Sequence, residues 1–209
     1  MNDQPTVFVV DDDDDTRTSL ALILTHYGYR VETYPSAPAF LAATGGCRPG
    51  CLVLDVSMPG ISGLELQERL ARQHRHLPII FLTGHGNIPM TVRALKRGAV
   101  DFLEKPCDVC LLLERIDEGL RADAEARRLE ERERRVRARL ELLTERERQV
   151  FDLLVRSRNV SNKHIARSLK ISHRTVEVHR ARIMRKLGAD SLTDLLDLAT
   201  GGASRTGVP

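Results

Sequence analysis

The stretch Val7-Phe8-Val9-Val10-Asp11-Asp12-Asp13-Asp14-Asp15 sets four apolar residues directly against five carboxylates. A short, uninterrupted run of Val and Phe reads as a strand covered on both faces. Four more runs follow: Arg30-Val31-Glu32-Thr33-Tyr34, Cys51-Leu52-Val53-Leu54, Ile79-Ile80-Phe81-Leu82 and Val100-Asp101-Phe102-Leu103. Amphipathic stretches lie between them. Leu20, Ile23, Leu24 and Tyr27 share a helical face, Leu64, Leu66 and Leu70 mark a second, and Val92 with Leu95 a third. Strands alternating with helices predict an α/β fold, a doubly wound five-stranded parallel sheet over residues 1–120.

Such sheets place their sites at the carboxyl edge of the strands. Asp11 to Asp15 follow the first strand, Asp55 ends the third, Thr83 ends the fourth and Lys105 follows the fifth. Clustered carboxylates repel one another and need a cation, and an all-oxygen set with room for water suits Mg²⁺. A carboxylate beside that ion is a nucleophile toward phosphorus, with the Lys ammonium and the Thr hydroxyl left to meet the phosphoryl oxygens. Alone, the Asp run would read as a solvated helix start, where negative charge favours the dipole. The coincidence of Asp55, Thr83 and Lys105 at the same edge outweighs that. Within the run, Asp11 and Asp12 lie nearest the strand end, and Asp15 is expected to cap the next helix.

The chain has 209 residues, 42% hydrophobic and 29% charged, with 4% aromatics and no Trp, so its cores must be aliphatic. No apolar run approaches the roughly 18 residues of a membrane span. The N-terminus lacks the basic and apolar regions of a secretory signal, so a soluble cytoplasmic protein with no membrane contact is expected. Cys47, Cys51, Cys107 and Cys110 read as buried free thiols rather than a zinc or redox site.

The net charge of +3 hides an asymmetry. Residues 1–120 carry net −5, residues 121–143 net +2 and residues 144–209 net +6. Thirteen of the 19 residues from Arg121 to Arg139 are charged, which predicts a linker helix over 121–143. Its thin apolar seam of Leu129, Val136, Leu140 and Leu143 leaves both a solvated spacer and a short coiled coil open. Thr144 and Glu147 fit a capping box that restarts the helical pattern. Over 144–200 there is no strand signal, and two short helices meet near Lys170-Ile171-Ser172. Ile165, Ala166 and Leu169 face inward from one, Val176, Ile183 and Leu187 from the other, and Ser172 caps the second. That is a helix-turn-helix. Arg174, Arg180, Arg182, Arg185 and Lys186 give its second helix a charge pattern suited to phosphates. Residues 201–209 are expected to be a disordered tail.

The strings VFVVDDD, CLVLDVSMPGISG, IIFLTGHG and DFLEKP resemble the receiver domain of bacterial response regulators over about residues 5–120. The resemblance implies the flavodoxin-like receiver fold. It makes Asp55 the phospho-acceptor and Asp11, Asp12, Asp55 and the carbonyl of Ser57 the Mg²⁺ ligands. Thr83 and Lys105 become the phosphoryl contacts, Thr83 and Phe102 the switch pair, and Lys105-Pro106 a cis step. LTERERQV (143–150) and NKHIARSLKISHRTVEVHRARIMRKL (162–187) resemble the DNA-binding domain of the NarL/FixJ (LuxR-type) regulators over 142–200, and TGHGNIPM with TVEVHR points to the FixJ/StyR-like branch. The loop Arg156 to Ser161 departs from that family: it has no Gly and is about two residues longer.

A two-component transcription factor is therefore expected, phosphorylated on Asp55 by a sensor histidine kinase and binding double-stranded DNA at promoter half-sites. Lys163, Thr175, Arg180 and Arg182 are candidates for phosphate contacts, Glu177 and Val178 for base edges, and Arg174 and His179 for the rest of the DNA face. A single module this small buries little DNA surface, so a homodimer is expected on phosphorylation or on DNA. Leu192, Leu195 and Leu196 match the family's dimerising helix, though core packing explains them equally. Activation through RNA polymerase fits the branch. The receiver is expected to be no enzyme beyond its own phosphoryl transfer and dephosphorylation. Two other classes were weighed. A haloacid-dehalogenase-type phosphatase fits the Asp run only in part and leaves Asp55 to Gly60 unexplained. A phosphorylation-independent DNA-binding protein would be expected to have lost Asp55 or Lys105.

Overall fold

A computed structural model of the chain describes residues 4–43, 48–73, 76–84, 88–156, 160–191 and 193–195. The chain divides into two compact units, Met1–Arg127 and Arg128–Pro209.

The first unit is built on strands β1 (Thr6–Val10), β2 (Arg30–Tyr34), β3 (Gly50–Leu54), β4 (Ile79–Thr83) and β5 (Asp101–Glu104), all parallel, in the order β2-β1-β3-β4-β5. The three central strands are buried at every residue, whereas β2 and β5 keep partly exposed positions because they are the edges. Helices α1 (Asp14–His26), α2 (Ala37–Ala43), α3 (Gly63–Arg72), α4 (Ile88–Lys96) and the start of α5 (Val109–Glu141) alternate with the strands. Strand alternation sends Phe8, Leu52, Leu54 and Phe81 to one core and Val7, Val9, Val53 and Ile80 to a second. The first packs under α2, α3 and α4, through Phe40, Leu66, Leu70 and Ala94; the second packs under α1 and α5, through Leu20, Leu24, Leu112 and Ile116.

Three local expectations change. Asp13, not Asp15, caps α1, its carboxylate accepting from Thr16 N at 2.6 Å, because the chain needs only two residues to turn from β1. Tyr27 is exposed at the end of α1, and Tyr29 takes the place against the second core. On α4 the buried contact is Ala94, while Val92 and Leu95 face solvent at 42% and 43% exposure.

The stretch read as the start of a solvated linker is tied to the sheet. Asp123, on α5, is 3% exposed and accepts from Gly50 N at 2.9 Å and from Arg127 Nε at 2.7 Å. Arg127 also donates to the Arg48 carbonyl at 2.7 Å. The cysteines differ from expectation too: Cys51 is buried, its thiol pushed up to about 12 by burial, but Cys107 is half-buried and Cys110 exposed. Cys47 lies outside the described residues.

The second unit is helical, with α6 (Glu145–Arg156), α7 (Asn162–Leu169) and α8 (His173–Leu187) closing on a core of Val150, Phe151, Leu154, Ile165, Val176, Ile183 and Leu187. Leu140 and Leu143 of the expected seam pack into this core, and Leu129 is exposed. The capping box forms: Thr144 Oγ1 accepts from Glu147 N at 3.3 Å and the Glu147 carboxylate accepts from Thr144 N at 2.9 Å. The loop residues 157–159 and the tail 201–209 lie outside the described residues. Among the described residues no helix is long and apolar enough to cross a membrane.

Replacing Asp123 with Ala leaves the buried Gly50 N–H without its acceptor and removes the partner of the Arg127 Nε–H. The first unit should lose about 1–3 kcal/mol of stability, read as a lowered denaturation midpoint in urea.

Candidate phosphoryl-acceptor pocket and nucleic-acid interface

The carboxyl edge of the sheet gathers what the sequence scattered. Asp11 follows β1 and is 2% exposed; Asp55 follows β3 and is 7% exposed; Thr83 ends β4 and is fully buried. One ligand atom each from Asp11, Asp12 and Asp55 lies within 4.8 Å of the others. Lys105 Nζ donates to Asp11 Oδ2 at 2.5 Å and lies 3.8 Å from Asp55 Oδ1. Lys105 reaches inward from the cis Lys105-Pro106 step, its N–H bonded to the Thr83 carbonyl at 2.8 Å.

Burial pushes the Asp55 carboxyl above its usual range; the Lys105 ammonium pulls it down, Asp11 pushes it up, and the Val56 and Ser57 N–H groups lower it further. The donor set fits Mg²⁺: oxygen only, two carboxylates nearly buried and Asp12 exposed where water can enter. Asp13, Asp14 and Asp15 belong to the helix start, with Asp14 paired to Arg17. Phe102 is half-buried in the first core, its ring centroid 5.9 Å from that of Phe81. Ser57 is exposed beside Asp55.

Two residues that shape this pocket had no assignment from the sequence. Arg17 donates to the Asp11 carbonyl at 2.8 Å and so braces the turn that carries two carboxylates. Gly63 opens α3 against the Asp55 backbone: a Cβ there would sit 2.3 Å from the Asp55 carbonyl oxygen. Its own N–H donates to the Val56 carbonyl at 3.0 Å. The signal was the Gly in ISG eight residues after Asp55, a spacing with no meaning until the loop closes.

In the second unit Ser172 caps α8, and Lys170 makes the turn in a left-handed conformation, φ 53°. Lys163, Arg174, Glu177, Val178 and Arg182 are exposed; Thr175, His179 and Arg180 are half-buried. Arg180 donates to Asn162 Oδ1 at 2.6 Å, so it ties α7 to α8. The His173 ring lies 3.4 Å from the Glu177 carboxylate, and Thr175 Oγ1 is 2.7 Å from Ser172 Oγ. Lys186 leaves the expected phosphate-facing set. Its ammonium donates to buried Glu147 at 2.6 Å and to the Leu142 carbonyl at 2.9 Å. That bond holds the Glu147 carboxyl down at about 2. Leu195 is fully buried in the core, so its side chain faces the inside of its own domain; Leu192 and Leu196 lie outside the described residues.

Residues 7–117 match the response regulator receiver domain family, and residues 141–199 match the bacterial regulatory proteins of the luxR family. The chain belongs to the response regulators, joining a receiver domain to a LuxR-type DNA-binding domain. It is 46% identical to the transcriptional regulatory protein FixJ of Azorhizobium caulinodans over 193 residues, covering 92% of this chain and 90% of that one. It is 40% identical to the response regulator protein TodT of Pseudomonas putida over 197 residues, covering 94% and 86%. Among solved structures it resembles the response regulator StyR, at a TM-score of 0.84 and 46% identity over 94% of this chain and 98% of that one. Full-length FixJ from B. japonicum aligns at a TM-score of 0.58 and 42% identity, covering 95% and 97%.

Gly63→Ala must push the α3 start away from Asp55 and disturb the oxygen set. Mg²⁺ affinity, measured by titration calorimetry, should fall about tenfold or more, as for other losses of support behind a metal ligand.

Proposed function

We propose that this chain is a phosphorylation-controlled transcription regulator whose phospho-acceptor is Asp55. The observation that carries the reading is the convergence of Asp11, Asp12, Asp55, Thr83 and Lys105 at one sheet edge, in a chain that also holds a basic helix-turn-helix.

A phosphohistidine of a sensor histidine kinase donates the phosphoryl group. The bond from phosphorus to the imidazole nitrogen breaks as a bond to an Asp55 carboxylate oxygen forms, and the imidazole leaves. Asp11, Asp12, Asp55 and the Ser57 carbonyl would hold Mg²⁺, which neutralises phosphoryl oxygen charge when bound. Lys105 exchanges part of its bond to Asp11 for a phosphoryl oxygen; its 3.8 Å distance from Asp55 already supports that role. The Thr83 hydroxyl donates to another oxygen, and Phe102, packed on Phe81, couples that movement to β5. Hydrolysis of the same acyl phosphate resets the receiver. Full switching between populations of 1:99 and 99:1 needs about 5.5 kcal/mol of differential stabilisation. The new phosphoryl contacts supply part of it and dimerisation on DNA the rest.

The domain reading is a receiver over 1–120, a linker helix over 121–143 and the DNA-binding domain over 144–200. In the last, exposed Lys163, Arg174 and Arg182, with Thr175, His179 and Arg180 beside them, meet the backbone, and Glu177 and Val178 meet base edges. Arg180 acts partly through Asn162. The dimer reads two half-sites. Because Leu195 is buried, it would support the dimerising helix from within rather than touch a second copy. A cytoplasmic location and activation through RNA polymerase complete the reading.

Acetyl phosphate with Mg²⁺ should add one phosphoryl mass to the protein, and Asp55→Ala should abolish that gain in intact-mass spectrometry. Labelling that persists in the variant overturns Asp55 as acceptor. Phosphorylation should also tighten promoter binding in a gel shift. Arg182→Ala should weaken binding to all sequences and lower the salt slope by about one, whereas Glu177→Ala should relax base preference at a cost of about 1–3 kcal/mol.

A further inference from the structure

At the sheet edge opposite the acidic pocket, the first unit holds a cavity of about 320 Å³. It lies among α3, the starts of β4 and β5, the end of α4 and the α5 segment carrying Asp123. Leu70, Leu77, Ile79 and Val100 give it an apolar lining. A cavity less than half that size accepts benzene in another protein, so a one-ring molecule fits with room to spare.

Its polar lining is unusual in one respect. Gln67 is 4% exposed, and its Nε2 donates to the Ala94 carbonyl at 3.2 Å. A carbonyl only accepts, so that contact decides which end of the carboxamide is which. The other end, Oε1, is buried with no hydrogen-bond partner. A buried acceptor left unpaired is costly and calls for an explanation. The two charged lining groups beside it already have partners of opposite sign: Arg97 pairs with Glu68, and Asp123 with Arg127. A charged ligand therefore finds no free counter-charge on either of them, whereas a neutral hydrogen-bond donor on an apolar body matches both the lining and Oε1.

We propose that this cavity is a binding site for a small neutral phenol or alcohol, whose hydroxyl donates to Gln67 Oε1. The site also has a route to the signalling face. Gln67 holds α4 through the Ala94 carbonyl, and Arg97 and Gly98 at the end of α4 line the same cavity. A ligand on Oε1 therefore sits at the joint between α3 and the helix that exposes Val92 and Leu95.

The test titrates phenol and toluene into the full chain and follows backbone amide shifts by NMR. The two probes share a ring and differ in the donor. Saturable shifts centred on Gly98, Val100 and Ala122 are expected, with phenol binding at least tenfold more tightly than toluene. Gln67→Leu should bring phenol down to the toluene level and leave toluene unchanged. Ala71→Trp, placed at the exposed rim, should abolish both. The phenol-to-toluene ratio in the unaltered protein stands without either variant. Equal affinities, shifts centred elsewhere, no saturation up to the solubility limit, or a crystal structure in phenol that retains a water on Oε1 would each overturn the proposal.

Discussion

Three carboxylates whose oxygens lie within 4.8 Å cannot all stay ionised without positive charge, and Lys105 Nζ, 2.5 Å from Asp11, supplies the only such charge the chain places directly on them among the described residues. Much of the first unit serves that ion pair. β1 and β3 are adjacent and parallel, so Asp11 and Asp55 leave the sheet side by side. β5 lies on the far side of β4, and the Lys105 N–H bond to the Thr83 carbonyl returns the lysine toward the pocket. Arg17 and Gly63 hold the two carboxylate turns from behind, one by a bond to the Asp11 carbonyl and the other by having no side chain where the Asp55 backbone passes. The pocket stays short of positive charge, and that shortage is what a divalent ion and a phosphoryl group can exploit.

The second unit divides its cations by burial. Lys186 is spent inside the domain on Glu147, which itself caps α6 through Thr144. That bond ties the start of α6 to the end of α8 and sets the frame on which the outer face is presented. Arg174, Arg182 and Lys163 have no such inward acceptor recorded and remain exposed, while Arg180 stands between the two groups through Asn162. Charge counted along α8 overstates what reaches a phosphate, because one lysine and part of one arginine are used to build the domain.

The parallel sheet was legible because its central strands are apolar at nearly every position, a pattern that requires cover on both faces. The helix starts at Thr144 and Ser172 were legible because caps are local, settled within four residues. Local patterns misled where a helix had more apolar residues than the core had room for. On α4, Ala94 takes the buried place and leaves Val92 and Leu95 outside, since close approach to Gln67 and the sheet favours the small side chain. Asp123 was hidden for the opposite reason: in a stretch with 13 charges in 19 residues, nothing local distinguishes the one carboxylate that is buried.

By itself the sequence determined the kinds of group available at each strand end: carboxylates after β1 and β3, a hydroxyl on β4 and an ammonium after β5. Period and polarity are enough for that, because strand ends follow from the apolar runs. Only the tertiary structure decided which of those groups meet, which cations remain for an outside partner, and how far the first unit extends along α5. Those outcomes depend on contacts between residues as far apart as Asp11 and Lys105 or Gly50 and Asp123, and no local pattern carries a distance between them.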